Sequence, residues 1–246
     1  MKLTAALGIA VIALGCSEPQ ARTARSTAEG VEPSDPTPAR GRPVEEPTAE
    51  TDEAQAPRAR ALVKLIVLGD FDEDMLDEVE AGLRDVLAVD VERIEGVPLP
   101  QEAWYPPRRR YRADRILDFL RGHLDSEPET TRVLGLTAVD ISTTKGRHED
   151  WGVFGLGDLG GRACVISSYR LSERGRRHDE LVTFRVVTTA VHEVGHTLGL
   201  THCDDPRCVM RDAEGSIRTV DTSDGRLGPI CRERIEQTAP RVDLGT

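Results

Sequence analysis

Three histidines and a glutamate fall within one short stretch of this chain. It runs His192-Glu193-Val194-Gly195-His196-Thr197-Leu198-Gly199-Leu200-Thr201-His202, or H-E-x-x-H-x-x-G-x-x-H. His192 and His196 are four residues apart, so on an α-helix both imidazoles lie on one face, one turn apart, and can reach the same ion. Glu193 leaves that helix in another direction. It is placed to take a proton from a metal-activated water without joining the ligands. Gly199 lets the helix stop, because glycine accepts positive φ without a Cβ clash, and His202 can then fold back to the metal. Three neutral imidazoles leave a fourth coordination position open. That is the arrangement of a hydrolytic zinc, which lowers the pKa of water to about 7, and not of a closed structural one.

Beyond the third histidine the chain reads Cys203-Asp204-Asp205-Pro206-Arg207-Cys208-Val209-Met210. The long histidine motif followed by a methionine resembles the metzincin clan of zinc peptidases. The continuation H-C-x4-C-x-M is similar to the archaemetzincin family in particular. The resemblance extends over roughly residues 63–235, including Arg109-Arg110-Tyr111-Arg112-Ala113 and the segments Val139-Asp140, Val153-Phe154-Gly155 and Val165 to Leu171. It implies that His192, His196 and His202 bind the catalytic zinc, that Glu193 is the base, and that Met210 lies beneath the metal in a methionine turn. Gluzincins fit less well, since their third ligand is a distant glutamate.

The resemblance also implies a second zinc held by four cysteines, and here the sequence departs. Cys203 and Cys208 match the first pair. The family's spacing puts the second pair at positions 228 and 231, where this chain has Gly228 and Cys231. A structural zinc is normally closed by four ligands. Three thiols leave two options open: a weaker site completed by water or a carboxylate such as Asp204, or a disulfide between two of the three. Loss or weakening of the second zinc is expected, with one catalytic Zn2+ as the main cofactor. Cys164, within the apolar run Ala163 to Ser167, reads as a small buried hydrophobe.

These residues need a scaffold. The apolar run Leu181 to Val191 seats the histidine helix in a core. Upstream, Val63 to Leu68 is a β-rich strand, Glu73 to Leu87 has helical period, and Val89 to Ile94 alternates. Tyr111 to Leu124 is amphipathic, with Arg108-Arg109-Arg110 as its solvated start. Arg132 to Asp140, Gly152 to Gly157 and Arg162 to Tyr169 are further strands. Helix–strand alternation followed by adjacent strands predicts an α+β (mixed α/β) domain. The resemblance makes this a metzincin-like zincin: a twisted mixed sheet with an antiparallel edge strand, an active-site helix, and a small C-terminal subdomain with the methionine turn. In metzincins substrate adds to that edge as a further strand. Gly152 to Gly157 is the candidate, its glycines allowing another backbone to approach.

The amino-terminal part has another character. Lys2 and the apolar run Leu3 to Gly15 form the n- and h-regions of an export signal, too short to span a bilayer. The end Ala13-Leu14-Gly15-Cys16 resembles a bacterial lipoprotein signal, with Cys16 diacylated; an ordinary secretory signal is the competing reading. Residues 17–60 lack aromatics and are rich in Pro, Glu, Ala, Thr and Arg, as expected of a disordered tether. The organisation is thus a signal and lipobox over 1–16, a tether over 17–60, and a catalytic domain over 61–246. The chain carries a net charge of −11, so no broad basic face for nucleic acid is implied. The combined reading is a zinc-dependent peptidase acting on peptide or protein substrates, exported and held at a membrane by its lipid on the periplasmic or cell-surface side. The alternative is a latent, non-catalytic zinc-binding lipoprotein.

Overall fold

The computed structural model describes residues 60–172 and 180–238. The signal with Cys16, and the tether up to residue 59, lie outside the described residues. In chain order the elements are β1 (Leu62–Val67), α1 (Glu73–Leu87), β2 (Asp90–Arg93), β3 (Trp104–Tyr105), β4 (Arg110–Arg112), α2 (Ala113–Arg121), β5 (Thr131–Thr137), β6 (Ile141–Lys145), β7 (His148–Val153), β8 (Gly155–Gly157), β9 (Ala163–Ser167), α3 (Glu180–Thr197), α4 (Ile217–Thr222) and α5 (Pro229–Thr238).

The main sheet has the order β2-β1-β5-β9-β8. Its first four strands run parallel, and β8 closes the edge antiparallel to β9, with Leu156 opposite Val165. The sheet is buried on both faces, which is why β1, β5 and β9 read as near-continuous apolar runs. Successive side chains alternate between two cores. Val63, Leu65, Leu134, Leu136, Cys164 and Ile166 pack with α1 and α3 on one face. Ile66, Val133, Ala163 and Val165 pack with Ile116, Leu117 and Leu120 of α2 on the other. α1 starts at Asp72, whose side chain accepts the Met75 N–H at 3.1 Å. That N-cap satisfies one of the helix's orphan donors.

A second, smaller sheet of order β3-β4-β6-β7 stands beside the first. It changes three expectations. The amphipathic helix starts at Ala113 and not at Tyr111, because Tyr111 pairs with Trp104 and Ile141 in strands and its ring lies 5.1 Å from that of Trp104. The arginines before it are not all solvated. The Arg110 Nε lies 3.3 Å from Asp140 and its Nη1 lies 3.8 Å from Asp150, while Arg112 is buried and bonds to Asp114, the Glu149 carbonyl and Thr144. The glycine-rich stretch from Gly152 to Gly157 also divides. β7 pairs with β6 in the small sheet, β8 pairs with β9 in the large one, and the chain crosses between them at Phe154, whose carbonyl accepts the Ser167 N–H at 2.8 Å.

Candidate active site and metal centres

The histidines are set by the end of α3. The last carbonyls of a helix have no partner within it, and here each finds one. The Leu200 N–H donates to the Gly195 carbonyl at 3.0 Å and the Gly199 N–H to the His196 carbonyl at 2.9 Å. With Gly199 at φ +90°, this is a Schellman closure. The Gly160 N–H, from the β8–β9 turn, also reaches the His196 carbonyl at 2.8 Å, and the Arg132 Nε donates to the Thr197 carbonyl at 3.1 Å. The helix therefore stops where His202 needs it to, and its end is tied to the sheet.

The ring orientations follow from backbone carbonyls. His192 Nδ1 donates to the Val209 carbonyl at 2.8 Å, and His196 Nδ1 donates to the Leu200 carbonyl at 2.7 Å. A carbonyl only accepts, so both Nδ1 atoms carry the proton and both Nε2 atoms present lone pairs. These Nε2 atoms face each other at 3.0 Å. Two lone pairs that close repel unless a cation lies between them; tetrahedral ligands on zinc sit about 3.3 Å apart given Zn–N bonds of about 2.0–2.1 Å. His202 completes the group, with its ring centroid 4.8 Å from His196 and 5.4 Å from His192. The three ligand nitrogens lie within 4.8 Å of one another. On the far side of His202, Nδ1 stands 3.4 Å from Asp212 Oδ2, the carboxylate–histidine relation that commonly orients metal ligands.

Burial sets the proton affinities in this group. Desolvation, then the neighbouring His196, pushes His192 down to about 3. Desolvation also pushes His196 down to about 4, so both stay neutral and able to ligate. Glu193 is only 8% exposed, and desolvation followed by the charge of Asp212 pushes it up to about 8. It is held from the other side by β8. A Cβ at Gly155 would lie 2.7 Å from Glu193 Oε1, and one at Gly157 would lie 2.7 Å from the Glu193 carbonyl oxygen and 3.1 Å from Oε2. The two glycines let the edge strand lie directly against the carboxylate. Burial raises the pKa of Asp212, but the Glu214 N–H and the neighbouring His202 and Lys145 side chains outweigh it, and the net direction is down.

Met210 is fully buried under the same helix, and a Cβ at Gly195 would come within 2.7 Å of its Sδ. The loop returning to it is closed by the Cys203 N–H donating to the Met210 carbonyl at 2.9 Å.

That loop carries the second cluster. Cys203, Cys208 and Cys231 bring their sulfurs within 4.8 Å of one another. All three, like Cys164, are free thiols, so no disulfide joins the described cysteines. Cys208 Sγ accepts N–H groups from Met210 at 3.4 Å and Gly228 at 3.2 Å. Burial and the two neighbouring thiols push Cys231 up to about 12; a bound cation reverses that order, since a coordinated thiol is deprotonated outright. Asp204 is exposed. Cys164 is fully buried in β9, with its Sγ 3.6 Å from the Val133 carbonyl, as a small core residue.

The three histidines, Glu193, Met210 and the three cysteines singled out in the sequence are brought together by the structure as two adjoining groups. The sequence alone did not reveal Asp212, two residues beyond Met210, where no spacing rule marks a carboxylate. It also did not reveal the contact of Gly155 and Gly157 with Glu193, for which their glycine identity was the available signal.

Fold and site together define a zinc metallopeptidase: a mixed sheet with an antiparallel edge, a long helix behind it bearing H-E-x-x-H, and a third histidine past a glycine stop. The chain matches the model of peptidase family M54 over residues 70–237. It is 34% identical to the archaemetzincin of Haloarcula marismortui over 179 residues, covering 70% of this chain and 98% of that one. The crystal structure of the Methanopyrus kandleri archaemetzincin superposes with a TM-score of 0.62 at 32% identity, covering 73% of this chain and 95% of that one. That of the Archaeoglobus fulgidus archaemetzincin, complexed with malonate, gives 0.58 at 29% identity, covering 70% and 99%. The chain belongs to the archaemetzincins.

Proposed function

We propose that the protein hydrolyses peptide bonds with His192, His196 and His202 holding a catalytic zinc and Glu193 acting as general base. The observation that carries this is the pair of Nε2 lone pairs facing each other at 3.0 Å beside a buried carboxylate. Zinc bound there supplies Lewis acidity, polarising the scissile carbonyl and acidifying water. Glu193 takes the proton of the attacking water and delivers it to the leaving amine. Met210 packs beneath α3 and keeps the turn that returns the chain from His202. β8 is the outer strand of its sheet, so a substrate backbone pairs along it and brings its carbonyl to the histidines.

The test uses the purified protein and its Glu193→Ala variant, with bound zinc measured and a peptide mixture read by mass spectrometry. Equal zinc, with cleavage by the parent alone, supports the reading. No cleavage by either across a broad peptide library refutes it and leaves the latent zinc-binding protein.

The sequence around Lys2, Leu3 to Gly15 and Cys16 supports a second proposal: the domain over 61–246 is exported and tethered by a lipid on Cys16. Among the described residues no helix is long and apolar enough to cross a membrane. Cys16→Ser is expected to abolish acylation and to move the protein out of the membrane fraction. Unchanged fractionation counts against the anchor.

A further inference from the structure

The cysteine cluster lacks its fourth thiol because position 228 is glycine, yet the space that a side chain would occupy there is not empty. A Cβ built on Gly228 would lie 2.7 Å from Asp205 Oδ2, 3.3 Å from Cys208 Cβ and 3.5 Å from Cys208 Sγ. A carboxylate oxygen therefore lies next to the position from which a side chain at 228 would start, on the side of the cysteine cluster.

We infer that Asp205 replaces the missing cysteine and closes the second site as a three-thiolate, one-carboxylate zinc centre. The charge balance is kept, since aspartate brings the same single negative charge as a thiolate. The chemistry is suitable, since zinc accepts carboxylate oxygen at about 2.0–2.2 Å alongside sulfur at about 2.3 Å. Asp205 is also kept near the cluster by its own turn. Its Oδ1 accepts the Arg207 N–H at 3.0 Å, and its carbonyl accepts the Cys208 N–H at 3.2 Å. Its other oxygen, Oδ2, is the one aimed at the Gly228 corner. Asp205 is half-buried, whereas Asp204 faces solvent and uses its carbonyl to accept Arg211. The carboxylate lies outside the 4.8 Å grouping of the three sulfurs, so closure needs Asp205 to swing towards them. Glycine at 228 is then required: a Cβ there at 2.7 Å would force the carboxylate away.

The test uses the full chain loaded with excess zinc and dialysed against a mild chelator, with metal content by mass spectrometry. Cobalt substitution is run in parallel, because thiolate-to-cobalt absorption reports the cysteine site directly. The parent is expected to keep about two zinc ions and the thiolate band. Asp205→Ala is expected to keep about one and to lose the band. Its second-site affinity should fall by about 100-fold or more, beyond the 10–100-fold typical of losing an outer partner. The double variant Asp205→Ala/Gly228→Cys is expected to recover both ions. A parent with one zinc and no thiolate band overturns the inference, as does Asp205→Ala with an undiminished second ion. If Asp205→Ala loses both ions through misfolding, the double variant decides: recovery supports Asp205 as the closing ligand and non-recovery overturns it. None of these readouts is peptide cleavage, so the inference and the catalytic reading fail separately.

Discussion

Replacing Gly155 with alanine tests how closely catalysis depends on the edge strand. The added Cβ would meet Glu193 Cγ at 2.6 Å, Oε1 at 2.7 Å and Cδ at 2.9 Å. Packed carbon atoms sit about 3.5–4.0 Å apart, so the carboxylate must retreat by about 1 Å or the strand must lift by the same amount. A misplacement of about 1 Å typically costs about 100-fold in rate, which corresponds to about 2.7 kcal/mol of barrier. Overpacking adds about 1–3 kcal/mol of destabilisation. The three atoms nearest the new methyl group all belong to Glu193 and none to a histidine, so zinc content should equal that of the parent. The assay is peptide cleavage under saturating conditions, with zinc and melting temperature measured on the same samples. Gly122→Ala serves as control, since nothing lies within 4 Å of its Cβ position and its φ is not positive. Parent-like kcat in a fully loaded Gly155→Ala protein would refute the claim that Gly155 sets the position of Glu193.

Three further outcomes are expected. Asp212→Asn removes the charge 3.4 Å from His202 Nδ1 and should weaken catalytic zinc binding by about 10–100-fold, read by competition with a chromophoric chelator. Asp221→Ala strips Arg185, 3% exposed in its side chain, of a two-point ion pair at 2.6 and 2.8 Å; it should destabilise the fold by about 3 kcal/mol and lower the melting temperature by about 6–12 °C, while Asp221→Glu keeps much of the loss back. Metal-free protein should show a stability maximum near pH 6.5 in urea titrations. His192 and His196, pushed from 6.5 down to about 3 and about 4, bind fewer protons folded than unfolded, so stability rises with pH up to 6.5. Glu193, pushed from 4.5 up to about 8, binds more protons folded, so stability falls as pH goes from 6.5 to 8. A midpoint that climbs over that last interval contradicts the assignment.

The parts legible in sequence are those where one local rule decides. Two histidines four apart need only a helix, Gly199 needs only a helix to end, and Glu73–Leu87 has an apolar period that matches α1 residue for residue. The small sheet was not legible because its strands β3 and β4 hold two and three residues, too few to show a period of two. Tyr111 looked like the start of a helix, and a tertiary partner, Trp104, drew it into a strand. The break at Phe154 is likewise tertiary: the residues on either side differ in which sheet they join, not in propensity. Asp205 and Asp212 owe their places to how the loop after His202 folds over α3. The motif offered Asp204 as one example of a completing carboxylate, and the one that faces Gly228 is its neighbour.

His202 and Cys203 are consecutive residues that face different clusters, and the loop they open returns through Cys208, Val209 and Met210. Within that loop, Val209 offers its carbonyl to His192 while the Met210 N–H donates to Cys208. An ion at either cluster thus immobilises backbone that the other depends on. Thermodynamic linkage is reciprocal, so whatever factor the cysteine site adds to zinc affinity at the histidines, the histidine site returns in equal measure. The weaker of the two ions then governs how cooperatively the pair is lost: titration with chelator should release metal more steeply than two independent sites allow, and amide exchange across 202–210 should accelerate in the same step.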